Sequence, residues 1–149
     1  MKEFSPVERD AWVGFINSWA YINRIVEEDL QATAQITHVE FEILLRLSWV
    51  EPQRMRLQDL AAQSLLTRSG TSRALTRLEK AGLVTREVAG EDRRGAYAVL
   101  TKAGAKRLQL AAEAHNAFVK ANFTNLFSEA ELKRMATFWK RLGTLPSPK

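Results

Sequence analysis

Two adjacent arginines, Arg93 and Arg94, are side chains that could bind an anion. They follow two acids, Glu91 and Asp92, within the run GEDRRGAYAVLT at residues 90–101, and a glycine stands on each side of the cluster. A guanidinium group offers several donors in one plane and binds phosphate well. A charged turn exposed to solvent would account for the same four charged residues. A nucleic-acid ligand is therefore favoured only if the neighbouring segments also have the features of a nucleic-acid-binding protein.

The preceding segment, TRSGTSRALTRLEKAG at residues 67–82, has the pattern of an amphipathic helix. At about 100° per residue, one face is small or apolar and consists of Thr71, Ala74, Leu75 and Leu78. The opposite face is polar and basic and consists of Ser69, Arg73, Thr76 and Lys80, flanked by Ser72 and Arg77. Such a helix suits the DNA major groove, because small residues allow close approach and arginines reach guanine edges. The alternative is a solvated helix face, which usually mixes charges of both signs.

The order of elements agrees with the DNA interpretation. Capping boxes begin helices at Ser5-Pro6-Val7-Glu8, Thr37-His38-Val39-Glu40 and Ser128-Glu129-Ala130-Glu131. Between the helix that begins after Thr37 and the helix that begins after Ser128, we expect a short extended piece at 55–57 and a short helix at 58–64. A helix at 68–81, ending at Gly82, should follow, and then a β-hairpin at 83–100. Thr101 should cap a helix that continues to about Leu126. This mainly α pattern with a small β-hairpin predicts a winged helix-turn-helix. The terminal helices are so apolar that we expect them to pack together and against a second chain, as a dimerisation region.

The charge is unevenly placed. The formal net charge is +5, and residues 67–107 hold ten Lys/Arg against four Asp/Glu, a local +6. Residues 1–40 hold three basic against seven acidic residues, a local −4. This distribution is typical of a polyanion-binding segment within a scaffold that need not touch the polyanion.

Composition argues against several other classes of protein. The chain has no cysteine and two histidines, so we expect no disulfide, no metal site and no cofactor. No apolar run is long enough to span a bilayer and the N-terminus lacks a signal peptide's apolar core, so we expect a cytoplasmic protein without a membrane partner. The carboxylates of residues 27–29 point in different directions around a helix, and no catalytic triad or phosphate loop is present. We therefore expect no enzyme.

Three stretches of the chain resemble the MarR family, the multiple antibiotic resistance regulators of bacteria and archaea. The pattern D-x-R-x5-L-T matches Asp92, Arg94, Leu100 and Thr101. The run SRALTRLEKAGLVTRE resembles the family's recognition helix and first wing strand, and ITHVEFEILLRL resembles its second helix. The resemblance extends from about residue 6 to residue 142.

The resemblance implies a role for each candidate residue. Arg94 would insert into the minor groove, Asp92 would brace the wing by charge pairing, and Arg93 would add a phosphate or minor-groove contact. The remaining expected DNA contacts are Ser69, Ser72, Arg73 and Arg77 in the major groove, with Thr67 and Arg68 at phosphates. The chain would be one domain, with residues 1–34 and 102–149 as homodimerisation helices and 35–101 as the DNA-binding lobe.

The resemblance also implies a sequence-specific transcription regulator, a repressor that a small aromatic or anionic effector releases from a pseudo-palindromic operator. Trp19 and His38 are candidate ligand-binding residues, although core packing for the tryptophan and solvent exposure for the histidine are the commoner roles. Two other functions are consistent with the residues: a nonspecific or architectural DNA-binding protein, and a protein-interaction module that uses the winged-helix shape without DNA.

Overall fold

The computed structural model describes residues 3–63, 68–88 and 96–143. In chain order the elements are α1 (Pro6–Ala34), α2 (His38–Ser48), β1 (Arg54–Arg56), α3 (Leu57–Gln63), α4 (Arg68–Lys80), β2 (Val84–Val88), β3 (Ala96–Leu100), α5 (Lys102–Asn122) and α6 (Glu129–Gly143). The chain forms two compact units, Met1–His115 and Asn116–Lys149. Within the described ranges, no helix combines the length and the apolarity that crossing a membrane requires.

The three predicted capping boxes are confirmed, and each lies at the start of a helix. They consist of Ser5 with Glu8 before α1, Thr37 with Glu40 before α2, and Ser128 with Glu131 before α6. At α2, the Thr37 backbone N–H donates to the Glu40 carboxylate at 2.9 Å and the Glu40 N–H donates to Thr37 Oγ1 at 3.1 Å. These bonds satisfy backbone donors that have no partner within the helix, so the helix starts follow from local sequence.

The predicted winged helix-turn-helix is confirmed. Helices α3 and α4 lie between β1 and β2 in the chain, and the three strands form an antiparallel sheet in the order β1-β3-β2. The short extended piece expected near residue 55 is the edge strand β1, and its Arg56 pairs with Tyr97 on β3. Residues 64–67 and 89–95, between α3 and α4 and between β2 and β3, lie outside the described residues.

One face of α4 is buried in the core of the first unit. The buried residues of α4 are Thr71, Ala74, Leu75 and Leu78, as the helical period predicts. They lie in a core to which α2 contributes Phe41, Ile43, Leu44 and Leu47, α3 contributes Leu60, and the sheet contributes Val84, Ala98 and Leu100. Burial of this apolar face orients α4 and leaves its opposite face in solvent.

The start of α5 is fitted closely against the chain between α4 and β2. Gly82 has a φ of 69° and follows the end of α4, which is the conformation that glycine adopts at low cost. Thr101 Oγ1 donates to the Gly82 carbonyl at 2.8 Å and accepts the Gly104 N–H at 2.9 Å. A Cβ atom at Gly104 would overlap the carbonyl oxygen of Leu83. The close approach therefore depends on glycine at position 104.

The prediction that the helix after Thr101 continues to about Leu126 is wrong. Helix α5 ends at Asn122, and a separate 3₁₀ turn covers Thr124–Leu126. Phe123 leaves the helical region with φ −136° and ψ −69°, while the Asn122 side chain donates to the Phe118 carbonyl at 2.9 Å. Asparagine and threonine are weak helix formers because their side chains compete for backbone hydrogen bonds, which accounts for the early end.

Candidate nucleic-acid interface

The outward face of α4 collects the polar and basic side chains that the sequence assigned to it. All of them are exposed: Ser69, Ser72, Arg73, Thr76, Arg77 and Lys80. The first turn of α4 contains no acidic residue, and its last turn contains Arg77 and Lys80. The helix dipole favours an anion at the N-terminal end of α4, and the arginines extend the positive surface along the helix.

Arg86 of β2 also contacts this surface, a contact that the sequence did not predict. Its Nη2 donates to Thr76 Oγ1 at 3.0 Å, and its Nε lies 3.2 Å from the Glu79 carboxylate. The available signal was strand alternation, because Arg86 is two residues after the buried Val84 and so shares its side of β2. Arg86 links the hairpin to the outward face of α4 and adds a guanidinium there.

Arg77 has a partner that its predicted role did not include. Its Nε donates to Glu40 Oε1 at 2.6 Å, across 37 residues of sequence. The Glu40 side chain is 9% exposed, whereas the Arg77 side chain is 55% exposed. The pair joins α2 to α4, and most of the arginine still faces solvent.

A second basic cluster lies on the outer face of the sheet. The Arg54 guanidinium carbon lies 4.0 Å from the Tyr97 ring centroid, and that of Arg56 lies 5.5 Å from it. Arg54 also pairs with Glu87 of β2 at 3.6 Å. Because these contacts cross all three strands, spacing along the sequence gave no sign of them.

Several of the predicted DNA-binding and wing-bracing residues lie outside the described residues. They are Thr67, in the segment before α4, and Asp92, Arg93 and Arg94, between β2 and β3. Arg68 is the first residue of α4, and its side chain is not among those that the structure describes. The roles of these residues stay predictions.

Comparisons with known proteins decide the family. The pattern of the MarR family matches residues 36–95. AbsC, a MarR family transcriptional regulator from Streptomyces coelicolor, has a crystal structure that is 33% identical with a TM-score of 0.88, and the match covers 96% of each chain. The chain belongs to the MarR family.

Two further relatives of this MarR-family chain agree. Sco3205, a MarR family transcriptional regulator from Streptomyces coelicolor whose crystal structure is in complex with DNA, is 28% identical with a TM-score of 0.90, over 97% of this chain and 96% of that one. A Bacillus cereus protein named an HTH-type transcriptional regulator is 30% identical over 122 residues, 82% of this chain and 79% of the relative. The family and these relatives are transcription regulators, which confirms the expectation that the chain is not an enzyme.

Of the two candidate ligand-binding residues of this MarR-family protein, His38 lies where α1, α2 and α5 meet, whereas Trp19 lies one turn before Asn23 on α1. Trp19 is 60% exposed and precedes Asn23 by four residues on α1, while His38 Nδ1 lies 3.1 Å from Asn23 Oδ1. The His38 and His115 ring centroids are 6.5 Å apart. Burial lowers the pKa of His115 from its usual range, the charge of His38 lowers it further, and Asp29 opposes both.

A cleft of about 340 Å³ lies where α1, α2, α4 and α5 meet, and neither Trp19 nor His38 lines it. Its lining includes Glu40, Arg77 and Arg107. Arg107 also donates to the carbonyl of Ala34 at 2.7 Å. The charged groups of the cleft are therefore the Glu40–Arg77 ion pair and the Arg107 guanidinium, a combination that the sequence did not predict.

Proposed function

We propose that this MarR-family DNA-binding transcription regulator binds a pseudo-palindromic operator as a homodimer and represses transcription until a small aromatic or anionic effector releases it. The observation that carries the proposal is α4, whose apolar face is buried while its opposite face presents hydroxyls, arginines and a lysine to solvent. We call α4 the recognition helix. A helix held in this way can enter a major groove without losing its core contacts.

The proposed contacts divide between two grooves. The recognition helix would place Ser69, Ser72, Arg73 and Arg77 in the major groove, with Thr67 and Arg68 at phosphates. Arg94 would enter the minor groove, with Arg93 beside it and Asp92 as its brace. The relative crystallised with DNA supports this arrangement, because its fold matches over nearly the whole chain.

Exposed apolar side chains support the homodimer. The first twenty residues of α1 include no buried side chain, although Trp12 and Trp19 lie there with 56% and 60% of their surface exposed. On α6, Phe138, Trp139 and Leu142 are each about half exposed, between 48% and 52%. Large apolar patches of this kind mark protein interfaces, and a symmetric dimer would offer two recognition helices to two half-sites about one DNA turn, roughly 34–36 Å, apart.

Arg107, in the cleft that the Glu40–Arg77 ion pair also lines, supports an anionic effector. A carboxylate bound there would contact an arginine of the recognition helix, so its binding would be coupled to DNA binding. Trp19 and His38 would form the second candidate position, where an aromatic ring could stack. Thermal shift with benzoate, compared between wild type and Arg107→Ala, distinguishes the two positions because only the first requires Arg107.

Selection of fragments from the source genome, followed by titration, tests the DNA-binding proposal. We expect the selected fragment to bind at least about a thousandfold more tightly than a scrambled duplex of equal length, with affinity that falls steeply as salt rises. Equal affinity for both duplexes indicates a nonspecific or architectural protein. Absence of salt-dependent binding to either indicates a protein-interaction module. Transcription from the selected promoter in vitro then separates repression from activation.

A further inference from the structure

One buried carboxylate contacts both the start of α2 and the recognition helix. Glu40 is 7% exposed. Its Oε2 accepts the backbone N–H of Thr37 at 2.9 Å, and its Oε1 accepts the Nε–H of Arg77 at 2.6 Å. Each oxygen therefore has a different partner, one local and one distant in sequence.

This arrangement restricts where the Arg77 side chain can go. A buried carboxylate is costly unless it is paired and hydrogen-bonded, so the bond from Arg77 is retained in preference to solvation. The hydrogen bond from the Thr37 N–H holds the Glu40 carboxylate against the backbone, so the carboxylate cannot move with the Arg77 side chain. Arg77 Nε is thus anchored to α2, while the side chain stays 55% exposed on the outward side of the recognition helix.

We propose that Glu40 is a positioning residue for DNA binding: its carboxylate orients the Arg77 guanidinium toward DNA and fixes the recognition helix against α2. This inference rests on the proposed DNA-binding function. Glu40 touches no DNA in this scheme and acts only through Arg77. An arginine oriented in advance loses less side-chain entropy when it binds a phosphate or a base edge.

The inference opposes the simplest electrostatic expectation. A carboxylate close to an arginine of the DNA-binding face lowers the local positive potential, so its removal should strengthen attraction to a polyanion. Positioning gives the opposite sign: removal of the charge should weaken operator binding. The direction of the change therefore separates the two effects.

The test variant is Glu40→Gln and its matched control is Glu42→Gln. Glutamine can still complete a capping box, so Glu40→Gln preserves the start of α2 while it removes the charge that holds Arg77. Glu42 lies on the same helix, is also largely buried at 19% exposure, and pairs with Arg46 at 2.5 Å rather than with the recognition helix. Both substitutions remove one negative charge from α2.

We expect Glu40→Gln to bind the selected operator about three- to tenfold more weakly than wild type, and Glu42→Gln to bind within about twofold of wild type. If Arg77 loses a phosphate contact, the salt dependence of Glu40→Gln falls by about one counterion. In an Arg77→Ala background, Glu40→Gln should have no further effect, because the interaction it disturbs is already absent.

Two further measurements distinguish a loss of Arg77 positioning from a loss of folding stability in Glu40→Gln. The ¹⁵N signal of the Arg77 Nε–H group should exchange slowly with solvent in the free wild-type protein and rapidly in Glu40→Gln. Arg77→Lys, which preserves charge and leaves the α2 cap intact, should make the protein insensitive to Glu40→Gln, as Arg77→Ala does.

Operator binding by Glu40→Gln that equals or exceeds that of wild type overturns the positioning role. An equal loss in the wild-type and Arg77→Ala backgrounds also overturns it, because Glu40 would then act through the fold. If wild type shows no salt-dependent DNA binding, the proposed function fails instead, and the Nε–H signal still reports whether Glu40 holds Arg77.

Discussion

Arg73 and Arg77 lie four residues apart on one helix, in different surroundings. Both are exposed, but Arg77 is bonded to the buried Glu40. The sequence predicts the exposure, because the period of the apolar residues assigns both arginines to the side of the helix away from the core. It does not predict the bond, because the two partners are 37 residues apart and meet only when α2 and α4 pack. The same holds for Arg86, whose contact with Thr76 requires the hairpin to fold onto the helix.

Replacing Arg73 by alanine should weaken binding to the selected operator by about 1–3 kcal/mol and reduce discrimination at the base pair it contacts. The melting temperature should hardly change, because the side chain is exposed. Arg9→Ala is the control, since it removes the same charge from an exposed position on α1. Titrations of single-base operator variants measure both effects. Uniform weakening across all of them, with discrimination retained, would assign Arg73 to a phosphate instead.

The histidine pair predicts that acid destabilises the fold. Burial, with the charge of His38, lowers the pKa of His115 below 6.5, so the unfolded chain binds more protons. Stability is therefore full above that value, falls as pH drops through it, and levels off once folded His115 is also protonated. Melting temperatures at about pH 7.5 and about pH 5.5 should show this fall, and His115→Gln should reduce it. An identical fall in wild type and His115→Gln would exclude His115 as its source.

At the scale of elements, the sequence predicted those helices and strands whose limits depend on interactions between residues close together in the chain. The capping boxes, Gly82 after α4 and the alternation of β3 all gave the right element type. The end of α5 was mistaken, because helical period and composition continue past Asn122 while the backbone changes direction at Phe123. The reason for glycine at position 104 was also hidden, since the Leu83 carbonyl approaches it only in the folded chain.

Gly104→Ala should therefore destabilise the protein although alanine is the better helix former. The added Cβ would overlap the Leu83 carbonyl oxygen, and the required shift of α5 should cost about 1–3 kcal/mol. Gly14→Ala is the matched control, because a Cβ there meets no atom within 4 Å and the helix should gain up to about 1 kcal/mol. Urea unfolding of both variants gives the two free energies. Stabilisation by both substitutions would show that α5 relaxes without cost.

Along the whole chain, the basic residues and the exposed tryptophans of α1 lie in different segments. The local +6 of residues 67–107 includes the recognition helix, whereas residues 1–40 are acidic and contain the exposed tryptophans of α1. Sequence alone predicted this division, because charge sums and helical apolarity need no coordinates. It did not predict that the first turns of α1 lack burial within one chain, since that depends on where the chain turns back. The proposed dimer, if joined through α1, would use a segment that is distinct in sequence from the basic segment 67–107.

Substitutions on α1 test the proposed homodimer most directly. Trp12 and Trp19 are seven residues apart on one side of α1 and are largely exposed in the single chain. If α1 forms the dimer interface, replacing both by serine should weaken dimerisation by at least about 2 kcal/mol, because buried tryptophans dominate interface energetics. Trp49→Ser is the matched control, since Trp49 is 69% exposed and lies at the end of α2. Sedimentation equilibrium should give a dimer for wild type and Trp49→Ser, and a larger dissociation constant for the double variant. Operator binding should then weaken most at protein concentrations below that constant, because each monomer of the proposed dimer would contact one half-site. A double variant that dimerises as tightly as wild type would place the interface away from this face of α1.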